Sequence, residues 1–79
     1  MINEEKFKLK LQLILDEIYP DRETYQKMSY YAVEPKVRMK IYKYVQETYA
    51  SYYSDNLLAL LKERDWLLEK CLAELGVTK

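Results

Sequence analysis

The chain of 79 residues contains no histidine, one glycine (Gly76), one cysteine (Cys71) and only two prolines, Pro20 and Pro35. Each scarcity closes a route to function. Without histidine the commonest general base and metal ligand near neutral pH is missing. A lone glycine cannot build a phosphate-cradling loop, and a lone cysteine forms neither an internal disulfide nor a paired-thiolate zinc site. No Ser-His, Cys-His or Gly-x-Ser-x-Gly arrangement exists to support nucleophilic catalysis. The longest apolar run, Leu57 to Leu61, falls far short of the roughly 20 residues that span a bilayer, and residues 1–10 interleave charge with apolar side chains instead of forming a leader's apolar stretch. The expectation is a non-enzymatic, cytoplasmic protein in a reducing compartment, with no cofactor, no metal, no membrane partner and no small-molecule substrate.

What is abundant is tyrosine, nine residues, and balanced charge: thirteen basic side chains against thirteen acidic ones. That balance argues against a surface tuned as a whole to nucleic acid or to anionic lipid, while leaving local patches open. The length fits a single domain, 1–79, near the lower limit for a core without staples. At roughly 0.05–0.15 kcal/mol per residue, such a chain nets about 4–12 kcal/mol, so self-association or a partner would add usefully to stability.

Scarce turn residues and abundant Leu, Lys, Glu, Gln and Ala predict an all-α fold, a compact bundle of three to four helices with short connections. A first helix runs from an Asn3 N-cap to Tyr19 with Phe7, Leu11, Ile14, Leu15 and Ile18 inward. Phe7, Leu9, Leu11, Leu13 and Leu15 also alternate with polar residues, the period of a half-buried strand, but no partner strand is visible. Asp21 caps a short second helix, Arg22 to Ala32, with Tyr25, Met28 and Ala32 inward. Pro35 opens a third helix that reaches Tyr53 and turns Val37, Ile41, Tyr44, Val45, Thr48 and Tyr52 to the core. After a restart at Ser54 or Asp55, a fourth carries Leu57, Leu61, Leu68, Cys71, Leu72 and Leu75 on one seam and ends at Gly76, with Val77 as the apolar residue beyond. Helices three and four merge into one rod if the chain does not break at residues 51–56.

Several side chains fit these faces poorly. Met39, Tyr42, Tyr49 and Tyr53 form a second stripe on the third helix, suited to a buried flank or to an interface, where tyrosine combines contact area with a polar tip. Trp66 falls opposite the leucine seam among charges, as a binding anchor or as a residue covered by the N-terminal segment. Arg64 occupies a seam position, where a polar side chain sets register or pairs with an acid, Asp65 across a dimer or an acidic partner surface. Lys36, Arg38, Lys40 and Lys43 oppose the dipole at a helix start and form a stripe able to meet phosphates. Cys71 reads as a small buried hydrophobe, and the acidic group Asp16, Glu17, Asp21 and Glu23 as a solvated helix end.

The leading expectation is a small protein-interaction module of binding, inhibitory or regulatory type, self-associating or binding another protein. Ten lysines against three arginines, with many Tyr, Leu and Ile, have the flavour of an AT-rich bacterial or phage genome. The alternatives are a DNA-binding transcriptional regulator with a helix-turn-helix around residues 22–45, and a structural subunit of a larger assembly.

Overall fold

The computed structural model describes residues 2–79, which form α1 (Glu4–Ile18), α2 (Arg22–Gln26), α3 (Tyr30–Thr48), α4 (Tyr52–Asp55) and α5 (Leu57–Glu74), with no strand among them. The alternation in the first segment is therefore helical. Asn3 caps α1 by accepting the Lys6 N–H at 3.0 Å, and Glu4 and Glu5 complement the dipole of its first turn. Asp21 caps α2 in the same way through Glu23 N–H at 3.0 Å.

The second boundary departs from expectation. α2 stops at Gln26, and the residues expected at its far end divide: Tyr25 is buried, Met28 packs partly against the core, and Ala32 lies exposed on α3. α3 begins after Ser29, so Pro35 does not open it but sits inside as its sixth residue. A proline there deprives the Tyr31 carbonyl of its helical donor. Burial offsets that cost. Starting early aligns Val33 with Val37, Ile41 and Val45, a row at four-residue spacing that is wholly buried.

α3 also ends sooner than expected, at Thr48, and Tyr52 and Thr48 are exposed rather than inward. A single turn, α4, follows, and Asn56 at φ −152° breaks the chain before α5, so the two long helices are separate and the restart lies past Ser54 and Asp55. α5 closes with a Schellman arrangement: Val77 N–H donates to the Leu72 carbonyl at 2.8 Å and Gly76 N–H to that of Ala73 at 3.1 Å. Gly76 has φ +100°, and Val77 is buried.

The three long helices alternate in direction. Asn3 meets Tyr49 and Glu17 meets Lys40, so α1 and α3 are antiparallel; Tyr30 N–H donates to the Thr78 carbonyl, which sets the start of α3 beside the end of α5. Lys70 bonds Glu4 and Lys8 pairs with Glu74, aligning α5 with α1. One core joins Phe7, Leu11 and Leu15 of α1, the valine row of α3, and Leu60, Leu67, Leu68, Cys71 and Leu72 of α5. Among the described residues no helix is long and apolar enough to cross a membrane.

Candidate functional site

The facing of α5 creates the site. Its leucine seam was expected to bury Leu57, Leu61 and Leu75, but Leu57 is 43 % exposed and Leu61 and Leu75 are only half-buried. Leu60 and Leu67 take their place in the core. The reason is the position of α1, which lies beside Glu63, Lys70 and Glu74 and draws burial toward that side of α5. The first two turns of the seam, at Leu57 and Leu61, face α3 across an open hollow.

The result is a groove of about 730 Å³ between α3 and α5, to which α1 contributes no residue. Its floor and walls are Met39, Tyr42 and Gln46 of α3, Tyr53 of α4, and Leu57, Leu61 and Arg64 of α5, with Lys40 and Lys43 on the α3 rim. Met39 is 74 % exposed. Four expected interface residues, Met39, Tyr42, Tyr53 and Arg64, thus meet in one place, joined by Leu57 and Leu61, which periodicity alone assigns to the core.

At the groove's end Arg64 has partners within its own chain. Its guanidinium lies 3.4 Å from the centre of the Tyr42 ring and contacts its own neighbour Asp65 at 2.9 Å. Tyr42 donates its hydroxyl to the same carboxylate at 3.2 Å. Burial first, with the nearby Asp65 and Glu34 carboxylates, raises the Tyr42 phenol above its ordinary value against the opposing pull of Arg64. The trio fixes the rotamer of both groove side chains, and the raised Tyr42 phenol stays neutral.

Tyr49 and Trp66 lie outside this groove. The Tyr49 hydroxyl accepts the Asn3 N–H at 2.8 Å, a structural tie between α3 and the start of α1. Trp66 is 58 % exposed, so the N-terminal segment does not cover it; Lys70 Nζ lies 4.9 Å from its ring while bonding Glu4.

The basic stripe is divided by acids. Arg38 forms a fork with Glu34, whose carboxylate is almost buried, and Lys40 pairs with Glu17 at 3.1 Å. Lys36 and Lys43 are exposed without an ion pair among the described residues, and Lys43 shares a second hollow, between α1 and α3, with Glu17 and Glu47. The start of α3 is itself occupied, by the Thr78 carbonyl and by Lys79 over the Tyr30 ring at 5.3 Å.

Elsewhere, Cys71 is buried and its thiol is pushed up to about 11, chiefly by burial, so it holds its proton at neutral pH. Asp16 is drawn below its ordinary value by the hydrogen bond from Arg22, and among the described residues no cluster of acids or thiols suits a metal ion. A second apolar surface went unnoticed in the sequence: Leu9 and Leu13, 62 % and 57 % exposed on the outer face of α1. The alternation Phe7, Leu9, Leu11, Leu13, Leu15 carried that signal, because a two-residue period wound on a helix must place leucines on both faces. No protein-family model, curated protein or solved structure matches this chain, so its function is argued from these surfaces.

Proposed function

We propose that this chain is a small, non-enzymatic protein-binding module of the cytoplasm, of inhibitory or regulatory type, whose contact surface is the α3–α5 groove. The observation that carries the reading is the uncovered start of the α5 seam. Leu57 and Leu61 continue the same stripe that builds the core at Leu68, Cys71 and Leu72, yet they line an open groove with Met39, Tyr42 and Tyr53. A groove between two helices, apolar along its floor and polar at its rim, is the geometry into which a third helix lays an amphipathic face. Methionine and tyrosine suit such a surface, the first by adapting its shape and the second by giving area at low entropic cost.

Selection from an unbiased displayed library of helical peptides tests this. Binders should converge on amphipathic helices and lose affinity for a Met39→Glu protein, and a selection that enriches nothing, or that enriches equally on Met39→Glu, refutes the groove as a contact surface.

Self-association is a second reading, favoured by Leu9 and Leu13. Their flanks carry both signs, Glu5 and Asp16 with Lys6 and Lys10, so two copies could match charge as well as apolar area. Light scattering coupled to size exclusion should then show a dimer that Leu13→Glu dissociates. The structural-subunit reading needs both surfaces engaged at once, with oligomers that grow with concentration. The nucleic-acid reading is weakened by the acids along its stripe: Arg38 is held in a fork by the nearly buried Glu34, and Glu17 and Glu47 share a hollow with Lys40 and Lys43, where they would repel a phosphate backbone.

A further inference from the structure

From the charges that border the α3–α5 groove, we infer that its occupant is an acidic amphipathic helix of another protein, about two turns of which enter the groove. This rests on the reading of the groove as a protein-contact surface. Three of the residues lining it are cations, Lys40, Lys43 and Arg64, and none is a carboxylate. Lys40 and Arg64 already touch Glu17 and Asp65, but both acids are largely exposed and lie outside the groove. The Lys40–Glu17 pair is exposed on both sides and worth about 0–1 kcal/mol, so a partner's carboxylate can share or replace it at little cost, whereas the Arg64 side chain is only 13 % exposed and keeps Asp65.

The dimensions match. Met39 to Gln46 on α3 and Leu57 to Arg64 on α5 each cover seven steps of about 1.5 Å, a trough of roughly 10 Å, which accommodates apolar anchors at i, i+3 or i+4, and i+7. Carboxylates flanking that stripe on the partner would meet Lys40 and Lys43 on the α3 rim, with the charge of Arg64 set into the groove's end. The same charges disfavour a second copy of this chain. A two-fold axis through the groove would gather the lining cations of both copies into one interface whose lining holds no carboxylate, and like-charge crowding at an interface is costly.

The test uses three peptides of about 14 residues, long enough to hold helix when capped, sharing one leucine stripe and differing only in flanking residues: Glu, Gln or Lys. Affinity is read by fluorescence anisotropy, and the binding site by amide shifts of the isotopically labelled protein. The Glu peptide should bind at least about tenfold more tightly than the Lys peptide, shift amides of residues around Met39, Leu57 and Leu61, and weaken as salt rises. Lys43→Glu should narrow or invert the preference. Equal affinity of the three peptides at the groove would overturn the acidic partner while leaving the groove a contact surface. Failure of every peptide to move the groove amides would overturn both. A dimer that Met39→Glu converts to monomer would identify a second copy as the occupant and overturn the inference in that way.

Discussion

Truncation of two leucines on the first turns of α5 tests the facing on which the groove depends. Leu57 and Leu60 are three residues apart in the same helix, and leucine and alanine are both strong helix formers, so the difference between the two variants reads mainly packing. Leu60 is wholly buried. Removing it strips three carbon groups, about 2.4 kcal/mol of transfer at roughly 0.8 kcal/mol each, and leaves a cavity among α1, α3 and α5, for a total of about 2–5 kcal/mol. Leu57 is 43 % exposed and opens onto the groove, so the transfer loss is about half and no closed cavity forms; about 1 kcal/mol is expected. Against a net stability of about 4–12 kcal/mol, Leu60→Ala threatens the fold and Leu57→Ala does not. Urea unfolding followed by the helical circular dichroism signal measures both, with unchanged m-values securing the comparison. A gap of at least about 1 kcal/mol in stability is expected, or roughly 4–8 °C in Tm. Equal losses, or a larger loss at Leu57, would show that the seam lies inward at Leu57 and that no groove is open there.

Trp66, as the only tryptophan, reports its own exposure: its emission should be quenched by acrylamide nearly as fully in the folded as in the unfolded protein, and Trp66→Ala should alter stability by no more than about 0.5 kcal/mol. Protected emission would place it in the core. Gly76→Ala should destabilise by about 1–2 kcal/mol in thermal melts, because φ +100° is strained for an L side chain and the new Cβ would lie 2.9 Å from Gln26 Cγ; a neutral result would mean that the Schellman turn can relax. Stability should also fall as pH rises beyond about 9. Burial raises the folded-state values of Cys71, to about 11 from an ordinary 9, and of Tyr30, Tyr42 and Tyr44, so the unfolded chain loses those protons first and is favoured as they leave. Lys70 and Lys79, raised by hydrogen bonds to Glu4 and Glu69, add the same sign, since their stabilising charge is lost as pH climbs through the folded values. A Tm that stays level from pH 8 to about 11 would contradict this linkage.

The sequence by itself determined what depends on near neighbours. Asn3 and Asp21 each supply an oxygen to an amide two or three residues on, Gly76 and Val77 close α5 through carbonyls within five residues, and the four-residue spacing of Phe7, Leu11 and Leu15 defines the inward face of α1. The scarcity of turn residues decided the all-α class in the same local way. Tertiary packing decided the rest. Pro35 lies within α3 because burying Val33 beside Val37 outweighs the local cost of a proline there, a balance that depends on what Val33 touches. Leu57 and Leu60 are chemically identical, and only the side on which α1 settles makes one core and the other groove. Tyr42, Arg64 and Asp65 are joined by a packing of α3 on α5 that brings residues 22 or more positions apart into contact. Helical periodicity shows which side chains share a stripe, but whether a stripe is covered depends on how many helices are present to cover it, and here three long helices leave the start of one seam open.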